Sequence, residues 1–380
     1  MATAQATAYV NRIATAVPPH DVHETFLRFA QGQLEGDRRN ALLFRRMAER
    51  SGIEHRYSCL EPTHEGDMTG PSAFYPRGDF PNTAERMHMF EVHAGALGAA
   101  AVERLGLGRE RDPITHLLVT CCTGFSAPGI DLELIERCGL NPSVERTMIG
   151  FMGCYAAINA LKLARHIVRS EPRARVLVVN LELCSLHLQE VTELDQILSF
   201  LLFADGCAAC LVTAEPHGAA LDSFHAVLVP DTANLITWNI RDFGFDMVLS
   251  GAVPAAIQDG LRCCADDILR GAPVPSIDLW AVHPGGRTVL DAVERAFDLP
   301  PRALAASRDV LRRYGNMSSA TVMFVLQALM GNARKGETGC AMAFGPGMVA
   351  KTMLFHAATP GVAATTGLRA REPAEAFLVN

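Results

Sequence analysis

At the centre of this sequence lies Arg146-Thr-Met-Ile-Gly-Phe-Met-Gly-Cys-Tyr-Ala-Ala-Ile-Asn-Ala160. An apolar run breaks at Gly153, and apolar residues recur at helical spacing after Cys154, which predicts a strand, a tight turn and an amphipathic helix. Unpaired backbone N–H groups and the helix dipole at such a turn stabilise a thiolate. Cys154 is therefore a candidate nucleophile, although a buried structural thiol explains this stretch alone equally well.

Composition narrows the class of protein. With 380 residues and 49% hydrophobic content, the chain can bury a large core, and we expect two fused halves, residues 1–220 and 221–380. A net charge of -7 without a basic block argues against nucleic acid as a partner. Of the eleven cysteines, Cys121-Cys122 and Cys263-Cys264 are adjacent pairs and several others lie inside apolar runs, which favours a reduced, cytoplasmic protein. No apolar stretch approaches the roughly 18 residues of a membrane span.

Local patterns predict the flanking elements. The Cys207/Cys210 pair has C-x-x-C spacing, but it lies inside a strand-like run without a second pair, so we expect no metal site. The other expected elements are a strand over Tyr9–Ala16, a helix over His20–Arg50, a loop over Ser58–Pro81, a helix from Asn82 or Thr83 to Leu105, and a poorly ordered tail from Ala357.

From Ile114 onward, buried strand, turn and helix patterns alternate, as in an α/β protein. The second half repeats these elements in the same order at a period of about 160 residues, which indicates a duplicated α/β unit. If a pseudo-twofold axis relates the halves, the glycine-flanked turns that carry Cys154, His283 and Asn316 can converge.

Together these three residues form a recognisable set. Alone, a histidine near a strand end is more often structural, and asparagine is common in turns. Combined, they supply a cysteine nucleophile, a base and an amide donor for an oxyanion. The set suits transfer of an acyl group from a thioester followed by decarboxylative condensation. A cysteine hydrolase would need an open path for water, whereas apolar residues such as Phe203, Met247 and Trp238 are expected along the approach.

Five motifs carry a resemblance to a known family. They are Gly153-Cys154 opening a helix, Phe203-Ala-Asp-Gly206, Val282-His-Pro-Gly-Gly286, Tyr314-Gly-Asn-Met-Ser-Ser319 and Phe344-Gly-Pro-Gly347. In this order they resemble the type III polyketide synthases, the chalcone synthase superfamily, from about Tyr9 to about Phe355. The resemblance implies a thiolase-type duplicated αβαβα fold, a homodimer, and condensation of malonyl-CoA onto an acyl-CoA starter, with CoA thioesters as substrates and no further cofactor or metal.

The resemblance also implies roles for individual residues. Cys154 resembles the acyl-carrying nucleophile, and His283 and Asn316 resemble the decarboxylation and oxyanion residues. Phe203 resembles the gate between the CoA tunnel and the cavity. Arg46 and Arg50 resemble residues that hold the CoA phosphates, while Leu43 stands where another basic residue is frequent.

The cavity positions differ from those of plant chalcone-forming members. The positions that differ are Cys122, Cys184, His187, Trp238 and Met247. Ser318, from the fourth motif, is also expected to line the cavity. Trp238 replaces a glycine and must fill one side of the pocket. The pattern resembles bacterial members that convert fatty acyl-CoA starters to alkylresorcinols or alkylpyrones. The alternative within the family is a short or aromatic starter that gives a phloroglucinol or chalcone-type product.

Three other classes share parts of this pattern. An initiating ketoacyl synthase has the same three catalytic residue types but depends on acyl carrier protein, and the last two motifs fit it less well. A hydroxymethylglutaryl-type synthase needs a general-base glutamate beside the cysteine, for which only Glu182 is available. A non-catalytic relative would be expected to have lost at least one of Cys154, His283 and Asn316.

Overall fold

The computed structural model describes residues 5–63, 68–69, 73–108 and 113–360. The helices are α1 His23–Gln33, α2 Arg38–Ser51, α3 Thr83–Arg104, α4 Ile130–Cys138, α5 Ala156–Ser170, α6 Leu194–Leu202, α7 Val253–Cys263, α8 Ala265–Leu269, α9 Arg287–Phe297, α10 Ala305–Tyr314 and α11 Thr321–Met330. The strands are β1 Tyr9–Ala16, β2 His20–Asp21, β3 Tyr57–Ser58, β4 His116–Cys121, β5 Glu145–Gly150, β6 Val176–Leu183, β7 Asp205–Thr213, β8 Ala219–Leu228, β9 Ile236–Arg241, β10 Gly244–Leu249, β11 Leu279–Val282, β12 Thr338–Gly345 and β13 Val349–Ala357. Short 3-10 turns lie at Gly153–Tyr155, Cys184–His187, Val274–Ser276, Pro301–Leu304 and Ser318–Ala320.

The sheet order reveals the internal duplication. Nine strands follow the order β11-β12-β13-β8-β1-β7-β6-β4-β5. From the central antiparallel pair β1–β8, the first half runs outward through β7, β6 and β4, and the second runs outward through β13, β12 and β11. The predicted correspondence of β4 with β11 and of β6 with β12 is confirmed. Strand β5 extends the first half only.

Alternate side chains of each half-sheet enter different cores, because successive strand residues point to opposite faces. In β6, Leu177 and Val179 join the core beneath α3 and α4, while Val176 and Val178 join the core of α5 and α11. The second half-sheet divides its residues between that central core and a third core beneath α7 and α9. Helices α5 and α11 are therefore sandwiched between two half-sheets, which gives the expected αβαβα order.

Several predicted elements are confirmed at their boundaries, and one is corrected. Asn82 caps α3 as predicted: its side chain accepts a hydrogen bond from the Glu85 N–H, and Glu85 returns one to the Asn82 N–H. The single helix predicted over His20–Arg50 is wrong. It divides into α1 and α2 at Gly36, whose φ is 101°, and Asp37 starts the second helix by accepting from the Asn40 N–H.

The predicted disorder of the tail falls largely outside the described residues. Ala357 itself ends β13 and is buried against the sheet. Residues 361–380 lie beyond the described part of the chain.

Candidate active site

The turn that carries Cys154 depends on the glycine before it. Gly153 has a φ of 67°, and a Cβ added there would lie 2.2 Å from Cδ of Pro346. This position therefore accepts only glycine without strain. The Gly153 N–H donates to Sγ of Cys122 at 3.0 Å, and the 3-10 turn then leads directly into α5. Cys154 thus stands at the start of a helical segment, as predicted.

His283 directly follows β11 and is 1% exposed. Neither ring nitrogen has a hydrogen-bond partner among the described residues. Buried polar groups are ordinarily satisfied, and an unpaired imidazole that borders a cavity is available to a ligand.

Asn316 is oriented by its neighbours. Its Oδ1 accepts the Ser318 N–H at 2.9 Å, which assigns the other side-chain position to the NH2 group. That group makes only a long contact, 3.4 Å, with the Gly285 carbonyl oxygen. The amide therefore presents a weakly engaged donor at the site.

One cavity collects almost all of the residues that the sequence singles out. The space inside the cavity, together with open solvent at its mouth, amounts to about 670 Å³. The predicted residues that line it are Cys122, Cys154, Cys184, Phe203, Trp238, Met247, His283, Asn316 and Ser318. The turns of the two halves therefore converge, although they lie far apart in the sequence.

Burial disfavours the charged forms of two candidate catalytic side chains, the Cys154 thiolate and the His283 imidazolium. It raises the pKa of the Cys154 thiol to about 12 against a hydrogen bond from Ser318 that lowers it, and it lowers the pKa of His283 to about 3. The cost of desolvating the thiolate thus exceeds its stabilisation by the helix N-terminus, on which the expectation of a thiolate was based. Each charge is therefore costly by itself, and the neutral thiol and the neutral imidazole are the favoured forms of the two side chains in this cavity.

A buried carboxyl group lies close to the cysteine cluster. Glu182 accepts hydrogen bonds from the Cys122 N–H at 2.9 Å, the Thr123 hydroxyl at 2.9 Å and the Ser319 hydroxyl at 2.5 Å. Burial nevertheless raises its pKa to about 7. The hydrogen bonds tie Glu182 to the loop after β4 and to the turn before α11, so it joins the two halves behind the site.

Trp238 forms one wall, and its orientation is fixed. Its Nε1–H donates to the Cys122 carbonyl oxygen at 2.7 Å. His187 packs edge-on against it, with ring centroids 5.3 Å apart. His187 does not line the cavity as expected: its Nε2 donates to the Thr123 carbonyl oxygen at 2.7 Å, and its Nδ1 accepts the Phe245 N–H at 3.0 Å. Both nitrogens are satisfied by backbone, so His187 supports the wall from behind.

Sequence reasoning missed much of the apolar lining. The missed residues are Ile236, Leu249, Val253, Ile257, Val289 and Phe344. A signal was available: Ile236 precedes Trp238 by two residues and Leu249 follows Met247 by two, so each pair shares a strand face. Val253 and Ile257 likewise share one face of α7, at a spacing of four residues.

The predicted CoA-binding residues lie outside the cavity. Arg46 and Arg50 are exposed on α2. This helix packs against α6, and Phe203, the residue directly after α6, lies on the cavity wall. The arginines are thus one helix away from the predicted gate.

The described residues offer neither a membrane-spanning helix nor a metal-binding cluster. Among them, no helix has the length and apolar character to span a membrane. Within the same residues, no group of three or more His, Cys, Asp or Glu side chains could hold a metal ion.

Comparison with known proteins gives a consistent answer. Residues 2–216 match the sequence profile for the N-terminal domain of chalcone and stilbene synthases, and residues 220–359 match that for the C-terminal domain. The chain is 35% identical to the alpha-pyrone synthesis polyketide synthase-like Pks18 of Mycobacterium tuberculosis over 71% of this chain and 72% of that one. It is 34% identical to bisdemethoxycurcumin synthase of Oryza sativa subsp. japonica over 92% of each.

Solved structures agree with these sequence matches. PKS-I from the brown alga Ectocarpus siliculosus superposes with a TM-score of 0.84 at 29% identity, over 94% of this chain and all of the other. The C-terminal type III polyketide synthase domain of Steely1 from Dictyostelium gives a TM-score of 0.83 at 25% identity, over 93% of this chain and 100% of that domain.

Proposed function

This chain belongs to the chalcone and stilbene synthase family, the type III polyketide synthases that condense malonyl-CoA, and we propose that it extends fatty acyl-CoA starters to alkylpyrones or alkylresorcinols. The observation that carries the proposal is a cavity in which Cys154, His283 and Asn316 meet a predominantly apolar lining.

The first step loads the starter onto Cys154. The Cys154 proton moves to His283, Sγ attacks the thioester carbonyl of the acyl-CoA, and the C–S bond to CoA breaks. The CoA thiolate leaves and takes the proton from His283. The apolar cavity favours this exchange over hydrolysis, since little water accompanies the acyl chain.

The second step forms the carbon–carbon bond. Malonyl-CoA loses carbon dioxide, and the electron pair of the broken bond passes to an enolate whose oxygen accepts hydrogen bonds from His283 and the Asn316 amide. The enolate carbon then attacks the acyl carbon on Cys154, the C–S bond of the acyl-enzyme breaks, and the released thiolate takes up a proton from solvent before it is reloaded. No net oxidation or reduction occurs, so the proposed reaction needs no redox cofactor.

The lining supports a fatty starter. Ile236, Leu249, Val253 and Ile257 present branched aliphatic side chains to the cavity, and such surface suits an alkyl chain. Trp238 narrows the same cavity, which disfavours a bulky aromatic product. The similarity to a mycobacterial protein named for alpha-pyrone synthesis supports a pyrone as the product.

A second candidate is extension of an aromatic starter. The similarity to bisdemethoxycurcumin synthase favours it, because it covers 92% of the chain. An alkyl starter and an aromatic starter need different amounts of space beside Trp238. One assay that offers both kinds of starter therefore separates the two candidates.

The assay offers the purified protein malonyl-CoA with straight-chain C8 to C18 or aromatic acyl-CoA starters, without carrier protein, and identifies products by mass spectrometry. We expect pyrones or resorcinols from the long-chain starters and none from Cys154→Ala. Products from aromatic starters alone would support the second candidate. Condensation only with acyl carrier protein would contradict CoA-linked starters.

Arg46 and Arg50 are proposed to bind the CoA phosphates. Guanidinium groups pair well with phosphate, and neither position is buried. Arg46→Ala/Arg50→Ala should raise KM for both CoA substrates about tenfold or more and leave kcat within about twofold. An unchanged KM would contradict this assignment.

We further propose a homodimer. Strand β5 forms one edge of the nine-stranded sheet, and Met148 on it is 37% exposed. Nearby chain segments expose Phe125 to 39% and Leu132 to 41%. An open strand edge with apolar surface beside it is suited to a second copy. Light scattering should give about twice the chain mass of 41.0 kDa, and a monomer would contradict the proposal.

A further inference from the structure

Helix α2 is unusually exposed for a helix with large apolar side chains. Of its fourteen residues, only Phe44 and Ser51 are buried. Leu42 is 49% exposed, Leu43 37% and Met47 47%. Neither the reaction nor the packing of the described chain accounts for these three side chains.

The outer face of α2 has a regular arrangement. Residues four apart lie above one another on a helix, so one row contains Arg38, Leu42, Arg46 and Arg50, and the adjacent row contains Arg39, Leu43 and Met47. Including Arg45, the helix carries five arginines against one acidic residue, Glu49, although the whole chain has a net charge of -7. The basic and apolar groups are thus interleaved on one local surface.

We propose that this face of α2 docks on an anionic phospholipid surface. Arginine can lay its aliphatic stem along apolar neighbours while its guanidinium reaches phosphate. Helices with basic and large apolar side chains bind at the headgroup boundary, and anionic lipids strengthen the binding. The phosphates of CoA account for at most two arginines of this surface, Arg46 and Arg50. They leave the exposed leucines and methionine unexplained.

Docking through α2 brings the enzyme to the surface where a lipid-soluble substrate accumulates. A long-chain acyl-CoA is itself amphiphilic and partitions into bilayers, so an enzyme at the membrane surface meets it there. This use rests on the proposed fatty acyl starter, but the binding does not. Because α2 packs against α6, and α6 is followed directly by Phe203, a docked α2 holds the cavity close to the lipid surface.

Vesicle co-sedimentation tests the docking without any turnover. The full chain is mixed with phosphatidylcholine vesicles that contain about 30% phosphatidylglycerol, or none. We expect at least about tenfold stronger partitioning onto the anionic vesicles, and loss of most of this preference at about 0.5 M salt.

Two double variants separate the apolar and basic parts of the surface. Leu42→Glu/Met47→Glu removes the apolar contacts and adds repulsion, and Arg38→Ala/Arg39→Ala removes two charges while Arg46 and Arg50 stay in place. Each should weaken binding about tenfold or more. Each should also keep its activity on a short-chain starter that dissolves freely, which shows that the variant is folded.

Matched controls lie on other surfaces. Leu228→Glu changes a leucine that is 68% exposed on β8, and Arg334→Ala/Lys335→Ala removes two neighbouring exposed charges. Both should bind vesicles like the unaltered protein. Absence of binding to anionic vesicles, or equal loss in the controls, would overturn the proposal. So would binding to an acidic acyl carrier protein alone. Vesicle binding by a protein that fails to use fatty acyl-CoA would leave the docking intact and refute only the starter.

Discussion

Asn316 and Phe203 are held side by side by the backbone of the two halves. The Asn316 N–H donates to the Leu202 carbonyl oxygen at 2.8 Å, and the Ala204 N–H donates to the Asn316 carbonyl oxygen at 2.9 Å. These bonds form a parallel bridge between Asn316 and Phe203. The predicted gate and the predicted oxyanion donor therefore cannot move independently.

The first prediction concerns the Asn316 amide. Asn316→Asp keeps the oxygen that accepts from Ser318 but replaces the donor with an acceptor. Malonyl-CoA decarboxylation should fall about 100-fold or more, as is usual when one oxyanion donor is removed, while loading of Cys154 by the starter should persist. Measuring carbon dioxide release and protein acylation separately checks this. Equal loss of both in a folded variant would assign Asn316 a structural role.

The second prediction concerns the proton of Cys154. Transfer of this proton to His283 leaves the net charge unchanged, so the population of the ion pair should not vary with pH. The alkylation rate of Cys154 by iodoacetamide should stay within about twofold between pH 6 and 9. In His283→Ala the thiol loses its proton acceptor, and its raised pKa should make the rate low at pH 7 and rise about tenfold per pH unit.

Peptide mapping must confirm that Cys154 is the residue modified, because Cys122 and Cys184 border the same cavity. A steep pH dependence already present in the unaltered protein would show that His283 does not accept the proton.

The third prediction concerns the width of the cavity. Trp238→Gly removes the wall that is fixed to Cys122, so the variant should accept aromatic starters or carry out further extensions. Trp238→Phe keeps most of the bulk and loses only the Nε1–H hydrogen bond, so its products should stay close to the original set. Product masses distinguish the two, and an unchanged product spectrum in Trp238→Gly would exclude Trp238 as a determinant of specificity.

The fourth prediction links Glu182 to stability. Burial raises the pKa of this carboxyl from 4.5 to about 7, so the folded chain keeps a proton that the unfolded chain loses in this window. The contribution to stability is full below pH 4.5 and is lost as the pH rises toward 7, by at most about 1.4 kcal/mol per pH unit. Glu182→Gln cannot titrate and should lack this decline.

Urea unfolding at several values between pH 4.5 and 7 measures the effect directly. Parallel stability curves for the two proteins would contradict the raised pKa.

The sequence predicted the duplicated fold because glycine-flanked turns and buried strands recur in both halves. It also predicted the residues at the centre of the cavity, since Cys154, His283 and Asn316 each follow such an element. The break between α1 and α2 was missed although residues 35–40 contain no large apolar side chain, and Gly36 followed by Asp37 is a sequence signal for the end of one helix and the start of the next. The place of His187 was missed for a different reason: its partners are backbone groups of Thr123 and Phe245, and backbone partners leave no sequence pattern.

The unexpected protonation of the site has a physical origin as well. A helix start after Gly153 is readable from sequence, and it predicts a stabilised thiolate. The depth of burial depends on how both halves close over Cys154, and this tertiary contribution raises the pKa of the thiol. Local sequence therefore predicted Cys154 as the nucleophile, but it did not predict the ionisation state of its thiol.

The central claim is that Cys154 carries the growing acyl chain. The most direct test is intact mass measurement after brief exposure to a long-chain acyl-CoA without malonyl-CoA, followed by peptide mapping. We predict one added acyl group, located on Cys154, absent from Cys154→Ala and discharged when malonyl-CoA is added. Acylation of Cys122 or Cys184 instead, or polyketide formation by Cys154→Ala, would contradict the account.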